Sequence, residues 1–345
     1  MKILALFLCL LYLPVSASAL EIEAPQVPEA GRQWMPGDTR SLWDGCLELL
    51  QKAISGLRPD IQEASRVSLG MIGAALLVSL LQSFSGPSKK AVETAGAVAI
   101  ASLLLLSTNS MIRLGSDTVR EIGAYGKLLL PVMTTALAAQ GGITASGALY
   151  AGTALFTSIL QSIMGSILIP GIYLYLALST GSHATGEELL KKTGDLLKGG
   201  LGWCLKMLLI IFTTYLSLTR VVSGTTDAAA LKATKVGMSS FIPVVGGILS
   251  DASEAVLVSA GLLKNAAGIY GILAVLALFL HPFLQIGLHY LILKLTAAIC
   301  SVFGTSRMTG IIECFSTAMG LLLAMTGAAC VMVLISTVCF MKGVG

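Results

Sequence analysis

Along this chain, long apolar runs alternate with short charged or Gly/Pro-containing breaks, and the lengths of the runs set the first expectations. Apolar residues dominate 67–84, 91–111, 128–139, 147–179, 203–222, 269–280, 283–300 and 311–340. A helix crossing the hydrocarbon core of a bilayer needs about 20 predominantly apolar residues. Residues 67–84, 91–111 and 203–222 therefore read as single spans. Residues 128–139 are short, stopped by Gln140-Gly141-Gly142, and read as a half-span or one end of a tilted helix. Residues 147–179 contain Ile169-Pro170-Gly171 and read as two helices or one kinked one. The run 311–340 is too long for a core of about 30 Å at about 1.5 Å per residue, so it tilts, kinks or extends past the membrane. The expected fold is an all-α polytopic membrane protein with about seven or eight transmembrane helices.

The polar stretches punctuate these runs. Lys2, an apolar run from 3 to 13, Pro14 and Ala17-Ser18-Ala19 describe a cleavable signal peptide over residues 1–19, which places the following segment outside the cytoplasm. Residues 20–66 form a polar arm, loose up to Pro36. From 41 to 64 the spacing of Leu42, Leu47, Leu49, Leu50, Ile54, Leu57 and Ile61 predicts an amphipathic helix interrupted near Arg58-Pro59. Trp34 and Trp43 are candidates for the headgroup level. Residues 67–345 are then one multi-span domain. Lys89 and Lys90 mark a cytoplasmic loop. Residues 113–127 read as a short mixed-charge connection. Residues 183–200, with Leu189, Leu190, Leu196 and Leu197 beside Lys191, Lys192 and Lys198, read as an interfacial amphipathic helix and a candidate cytoplasmic partner surface.

Charge and helix punctuation return together in 223–268. Asp227 opens a small-residue helix with Lys232 and Lys235 on one face. Pro243 and Gly246-Gly247 interrupt it. Asp251, with Glu254 three residues on, resembles a capping box opening a second helix that reaches Lys264 and Asn265. The stretch reads as a broken or re-entrant helical hairpin near 224–265. It is either an amphipathic structural element or the lining of a conduit, where polar backbone is tolerated at membrane depth.

Composition agrees with the membrane class: 55% hydrophobic, 12% charged, mean hydropathy +0.86. Soluble domains carry roughly twice that charged fraction. The net charge of +4 has no basic stripe that fits nucleic acid. Of seven cysteines, Cys9 leaves with the signal peptide, and no pair has metal-ligand spacing. His183 reads as solvated in a polar loop. His281 and His289 flank Pro282 in apolar surroundings and read as packed residues rather than a metal or proton site. Lys294 and Glu313 are intramembrane charges, functional candidates or snorkelling residues. There is no P-loop, G-x-S-x-G or H-E-x-x-H motif. No enzyme, cofactor or metal is expected.

The segment FIPVVGGILSDASEAVLVSAGLLKNAAG, residues 241–268, resembles the signature region of the stage III sporulation protein AE family. The signal peptide, the polar arm, the KATK stretch and the all-helical remainder agree. The resemblance implies membership of an eight-protein assembly in the mother-cell membrane around the forespore. That assembly joins a forespore partner to form a channel or feeding apparatus, includes ring-forming proteins and a cytoplasmic ATPase, and is needed for late forespore development. By that resemblance the chain is a membrane-embedded core or export-gate component, with homo-oligomers among the expected arrangements. The alternatives are a stand-alone secondary transporter with a site at paired broken helices, or a membrane scaffold for the complex. If 223–268 lines a path, Asp251→Asn with Glu254→Gln abolishes function while the protein still accumulates in the membrane. Loss of the protein itself points to capping instead, at about 1 kcal/mol per cap.

Overall fold

The computed structural model describes residues 25–37, 41–84, 88–241, 246–303 and 306–342; the side chains of 220–257, 259 and 263 lie outside that description. Its regular elements are α1 (Glu29–Arg32), α2 (Leu42–Gly56), α3 (Arg58–Phe84), α4 (Lys89–Ala139), α5 (Ile143–Ile163), a π-helical turn (Met164–Leu168), α6 (Ile169–Thr185), α7 (Glu188–Phe241), α8 (Gly246–Val302) and α9 (Ser306–Lys342). The protein is all-α. Among the described residues six helical stretches are long and apolar enough to cross a membrane: Arg58–Phe84, Lys89–Ala139, Ile143–Thr185, Glu188–Thr219, Ala260–Val302 and Ser306–Lys342.

Among the described residues the count is six where about seven or eight were expected, and three mergers account for the difference. Residues 91–111 and 128–139 are parts of the single 51-residue α4, which runs through 113–127 and through Pro131. Pro282 lies inside α8 and does not divide it. Ile169-Pro170-Gly171 does not split 147–179 either. Pro170 lacks the N–H that would bond the carbonyl of Ser166, and the π-helical turn Met164–Leu168 sits at that position. The amphipathic stretch at 188–198 is likewise no separate surface helix, because it is the first three turns of α7, which continues to Phe241.

The same continuity corrects the caps. Asp227 lies inside α7 and Asp251 inside α8, so neither opens a helix. A side-chain cap is worth about 1 kcal/mol. Each backbone group left unsatisfied in an apolar medium costs several. The backbone is helical to Phe241 and again from Gly246, while Pro243 and the turn of the expected hairpin fall outside the described residues. The two Asp-capped helices on which a transporter site was to rest are therefore not present.

The long helices form an antiparallel bundle whose register is fixed by close contacts. α4 and α9 run in the same direction. Gly96 lies against Met308, Gly115 against Leu322 and Gly126 against Val333. α8 runs the opposite way, with Ile286 on Gly115, Leu129 on Gly271 and Gln140 on Gly261. α5 and α6 return along α4, Lys127 Nζ donating to Gln161 Oε1 at 2.9 Å and the Tyr173 hydroxyl to Asn109 Oδ1. α7 packs on α5 and α6, with Leu201 over Gly171 and the Tyr215 hydroxyl donating to the Ala148 carbonyl at 3.1 Å. α9 is the centre of the core: Phe315, Met319, Leu322 and Met325 are fully buried.

The arm is not loose where it is described. α1 and α2 dock on α8. Gly31 lies against Leu278 and Gly45 against Leu273, while Leu49 buries with Leu273 and Ala277. Trp34 stacks on His281, ring centroids 4.2 Å apart at 22°. Lys52 closes the arm on itself, donating to the Met35 carbonyl at 2.8 Å and pairing with Glu48 at 2.8 Å. Glu48 also accepts from the Gly37 N–H at 3.1 Å. The hydrogen bond from Lys52, and then that from Gly37, hold the Glu48 carboxyl below its ordinary range. This clasp is complete above the ordinary carboxylate range and is lost as pH falls through the lowered value. The expected break at Arg58-Pro59 is present as the junction between α2 and α3 at Leu57.

A Cβ on Gly45 would meet Leu273 Cδ2 at 2.8 Å, so Gly45→Ile should lift α2 from α8 at a cost of about 1–3 kcal/mol. Limited trypsinolysis in detergent should then cut at Arg32 and Lys52 while α3–α9 stay intact; unchanged protection would show that Gly45 does not set the docking.

Candidate functional site

At one end of the bundle the α6–α7 turn and the start of α9 enclose an open crevice of about 500 Å³. The turn exists because Gly186 takes a left-handed conformation (φ 82°) and closes α6 with a bond from its N–H to the Ser182 carbonyl at 2.7 Å. The Ser182 hydroxyl donates to the Glu187 carbonyl at 3.2 Å, and the Glu187 N–H donates to Thr185 Oγ1 at 3.3 Å. This fixes the first turn of α7, which carries Glu188, Lys191, Lys192 and Asp195 into the crevice wall. Lys192 and Glu188 face each other at 3.7 Å, both well exposed. A surface pair of this kind contributes at most about 1 kcal/mol, so these charges stay available to a partner. Lys198 is exposed further along α7, outside the crevice.

The floor is Arg307, and it holds three helices together. Its guanidinium donates to Thr94 Oγ1 on α4 at 2.9 Å and to the Ala184 carbonyl near the end of α6 at 2.6 Å. It also lies 3.6 Å from the Glu93 carboxylate, both side chains less than a quarter exposed. Glu93 in turn accepts from the Arg307 N–H at 3.3 Å and from the Ser306 hydroxyl at 3.4 Å, so the carboxylate sits at the positive start of α9. One acid and one guanidinium thereby join α4, α6 and α9.

Beneath the crevice a polar seam enters the bundle. His183 is half-buried, not solvated. Its Nδ1 lies 2.8 Å from the Ser179 carbonyl and 3.7 Å from Cys314 Sγ, and its ring occupies the space that Gly310 leaves free. His281 and His289 share a continuous helix, as their spacing allowed, but meet different neighbours. His281 stacks on Trp34 with Nδ1 buried and unpartnered. His289 approaches the Gln285 carbonyl at 3.0 Å and lines a cavity of about 10 Å³. Among the described residues no three His, Cys, Asp or Glu side chains converge as a metal site needs. Cys300, Cys314 and Cys330 are buried, which matches their expected role as small core residues. Lys294 and Glu313 are exposed.

Of the expected conduit residues, Lys264 is buried on α8 and Asn265 is exposed beside it. Asp227, Lys232, Lys235, Gly246, Gly247, Asp251 and Glu254 have helical backbone, and their side chains lie outside the described residues. The structure brings Lys191 and Lys192 together with Arg307, Glu187 and Asp195, a grouping that spacing along the chain did not show. The signal was there in part: a Gly followed by two acids marks a helix end and a new start.

Arg307→Ala would leave the Glu93 carboxylate without its cation and is expected to lower stability by about 2 kcal/mol. Arg307→Lys should recover only part, because one ammonium does not reproduce the planar fork. Thermal unfolding in micelles reads both; a wild-type midpoint for Arg307→Ala would show that the tie is not structural.

A family model described as Stage III sporulation protein AE matches residues 44–343. The stage III sporulation protein AE of Bacillus subtilis (strain 168) is 26% identical over 205 residues, 59% of this chain and 51% of that protein. The matched stretch thus spans about half the length of that curated relative. No solved structure matches.

Proposed function

The chain belongs to the stage III sporulation protein AE family, and from that membership we propose that it is a membrane-embedded core or export-gate component of a sporulation transport complex. In this role it sits in the mother-cell membrane around the forespore and works with ring-forming membrane proteins and, indirectly, a cytoplasmic ATPase. It carries no catalytic step of its own. Its task is to provide helices that, assembled, enclose a path needed for late forespore development.

The observation that favours an assembly component over a self-sufficient carrier is the close packing of the core among the described residues. Two cavities there have volumes of about 10 Å³ each, lined mainly by apolar side chains. That is room for about one water. Helix packing at this density supports a path formed between chains rather than through one. The charged crevice at the α6–α7 turn supplies a surface where a partner of mixed charge can dock, since it presents both lysines and carboxylates outside any strong internal pair.

Two measurements test this function. Lys191→Glu with Lys192→Glu in an endospore-forming host should lower the yield of heat-resistant spores at least tenfold while the chain still accumulates in the membrane. The purified chain alone in proteoliposomes should move no solute. Normal spore yield would remove the docking role of the crevice, and transport by the isolated chain would replace the component role with that of a carrier.

A further inference from the structure

Where α3, α4, α8 and α9 meet, the packing leaves a cavity of about 10 Å³ beside His289. Two polar ties hold its walls apart. Four residues before His289 on α8, Gln285 Nε2 donates to Asp60 Oδ1 at 2.7 Å. Further along α8, Ser68 bonds Thr296, whose own proton goes to the Ile292 carbonyl at 2.7 Å. α3 is thus clamped to α8 on both sides of His289, and the space between the clamps is kept open.

The lining of this space mixes polar and apolar side chains. Ser107 and Thr108 come from α4 and His289 from α8, while Met71 and Met319 supply part of the apolar wall. Several buried threonines of the core return their proton to the carbonyl one turn back, as Thr118 does to Leu114, Thr326 to Leu322 and Thr337 to Val333. Thr108 is buried as they are. Among the described residues neither it nor Ser107 makes such a bond, so both hydroxyls remain as donors at the cavity. On α8, His289 Nδ1 lies 3.0 Å from the Gln285 carbonyl. A proton on Nδ1 makes that bond and leaves Nε2 as an acceptor.

We propose that this cavity is a binding site for one water, which accepts from Thr108 or Ser107 and donates to His289 Nε2. The volume suits a single molecule, and the polar groups on the wall are as many as a buried water needs. Dry, the same groups would stay unpaired in an apolar interior, which costs more than ordering one water. The other small cavity, between α4, α5 and α9, lacks this balance of donors and acceptor. Its hydroxyls have committed their protons, Thr153 to Ser336, Ser336 to the Met332 carbonyl and Thr337 to the Val333 carbonyl. A water there would find acceptors and no donor. The site goes beyond the assembly role and does not depend on it. It joins α4 to α8 through a bound molecule where no side chain reaches across.

The test is hydroxyl-radical labelling of the full chain in micelles by a short X-ray pulse, read by mass spectrometry at individual methionines. Radicals made from a held water oxidise the sulfur beside it, even where bulk solvent does not reach. Met71 and Met319 should be oxidised at least fivefold faster than Met325 and Met332, which are as deeply buried and do not line the cavity. Thr108→Val with His289→Phe removes a donor and the acceptor, and should bring Met71 and Met319 down to the rate of Met325. If that variant does not fold, the near-isosteric Thr108→Val alone carries the same comparison. Equal rates at the four methionines of the unmodified chain overturn the proposal, because no water is then held there. Fast oxidation that survives the substitutions overturns it as well, since the water is then not bound by these groups.

Discussion

Inside an apolar medium every backbone N–H and C=O must find its partner within the chain, and this constraint governs the whole molecule. It explains why 51- and 57-residue helices run through Pro131 and Pro282 without ending. Ending a helix at membrane depth exposes several polar groups at once, whereas an internal proline removes one bond. Where the strain at Pro170 is absorbed, the accommodation is a π-helical turn and not a break. Side-chain caps, worth far less, yield to the same demand at Asp227 and Asp251.

That hierarchy also sets what could be learned from the residues alone. The fold class was legible, because composition and run length report the medium directly. The junction at Leu57 was legible as well, being encoded in the Arg58-Pro59 step. Helix count was not, because rules for Gly, Pro and Asp derive from water, where a frayed end is solvated. His183 shows a second limit. Its sequence neighbours are polar, yet Gly310, 127 residues away, opens the space it fills; no local pattern carries that pairing. The arm shows a third. Its Pro- and Glu-rich composition suggested a loose segment, and only the small residues Gly31 and Gly45, meeting Leu278 and Leu273, disclose that it docks.

The charged features sort by how strongly they are held. Glu93 and Arg307 are shielded and join three helices, so they belong to the architecture. Lys191, Lys192 and Glu188 line the open crevice beside Arg307, where Lys192 and Glu188 form only a weak surface pair. A rigid floor beneath adaptable walls lets a docking surface adjust without disturbing the bundle.

The docking of the arm on α8 has a mechanical side. Trp34 grips His281 one residue before Pro282, and α8 continues as one rod in both directions, on the order of 85 Å in all. A rod held near its middle behaves as a balance beam: a small tilt imposed through the arm moves the two ends in opposite senses. Residues near Val302, beside the turn into α9 and its Arg307 tie, would then swing against those near Gly246. The short polar segment ahead of the first span thus sits where a fulcrum for such a tilt would be.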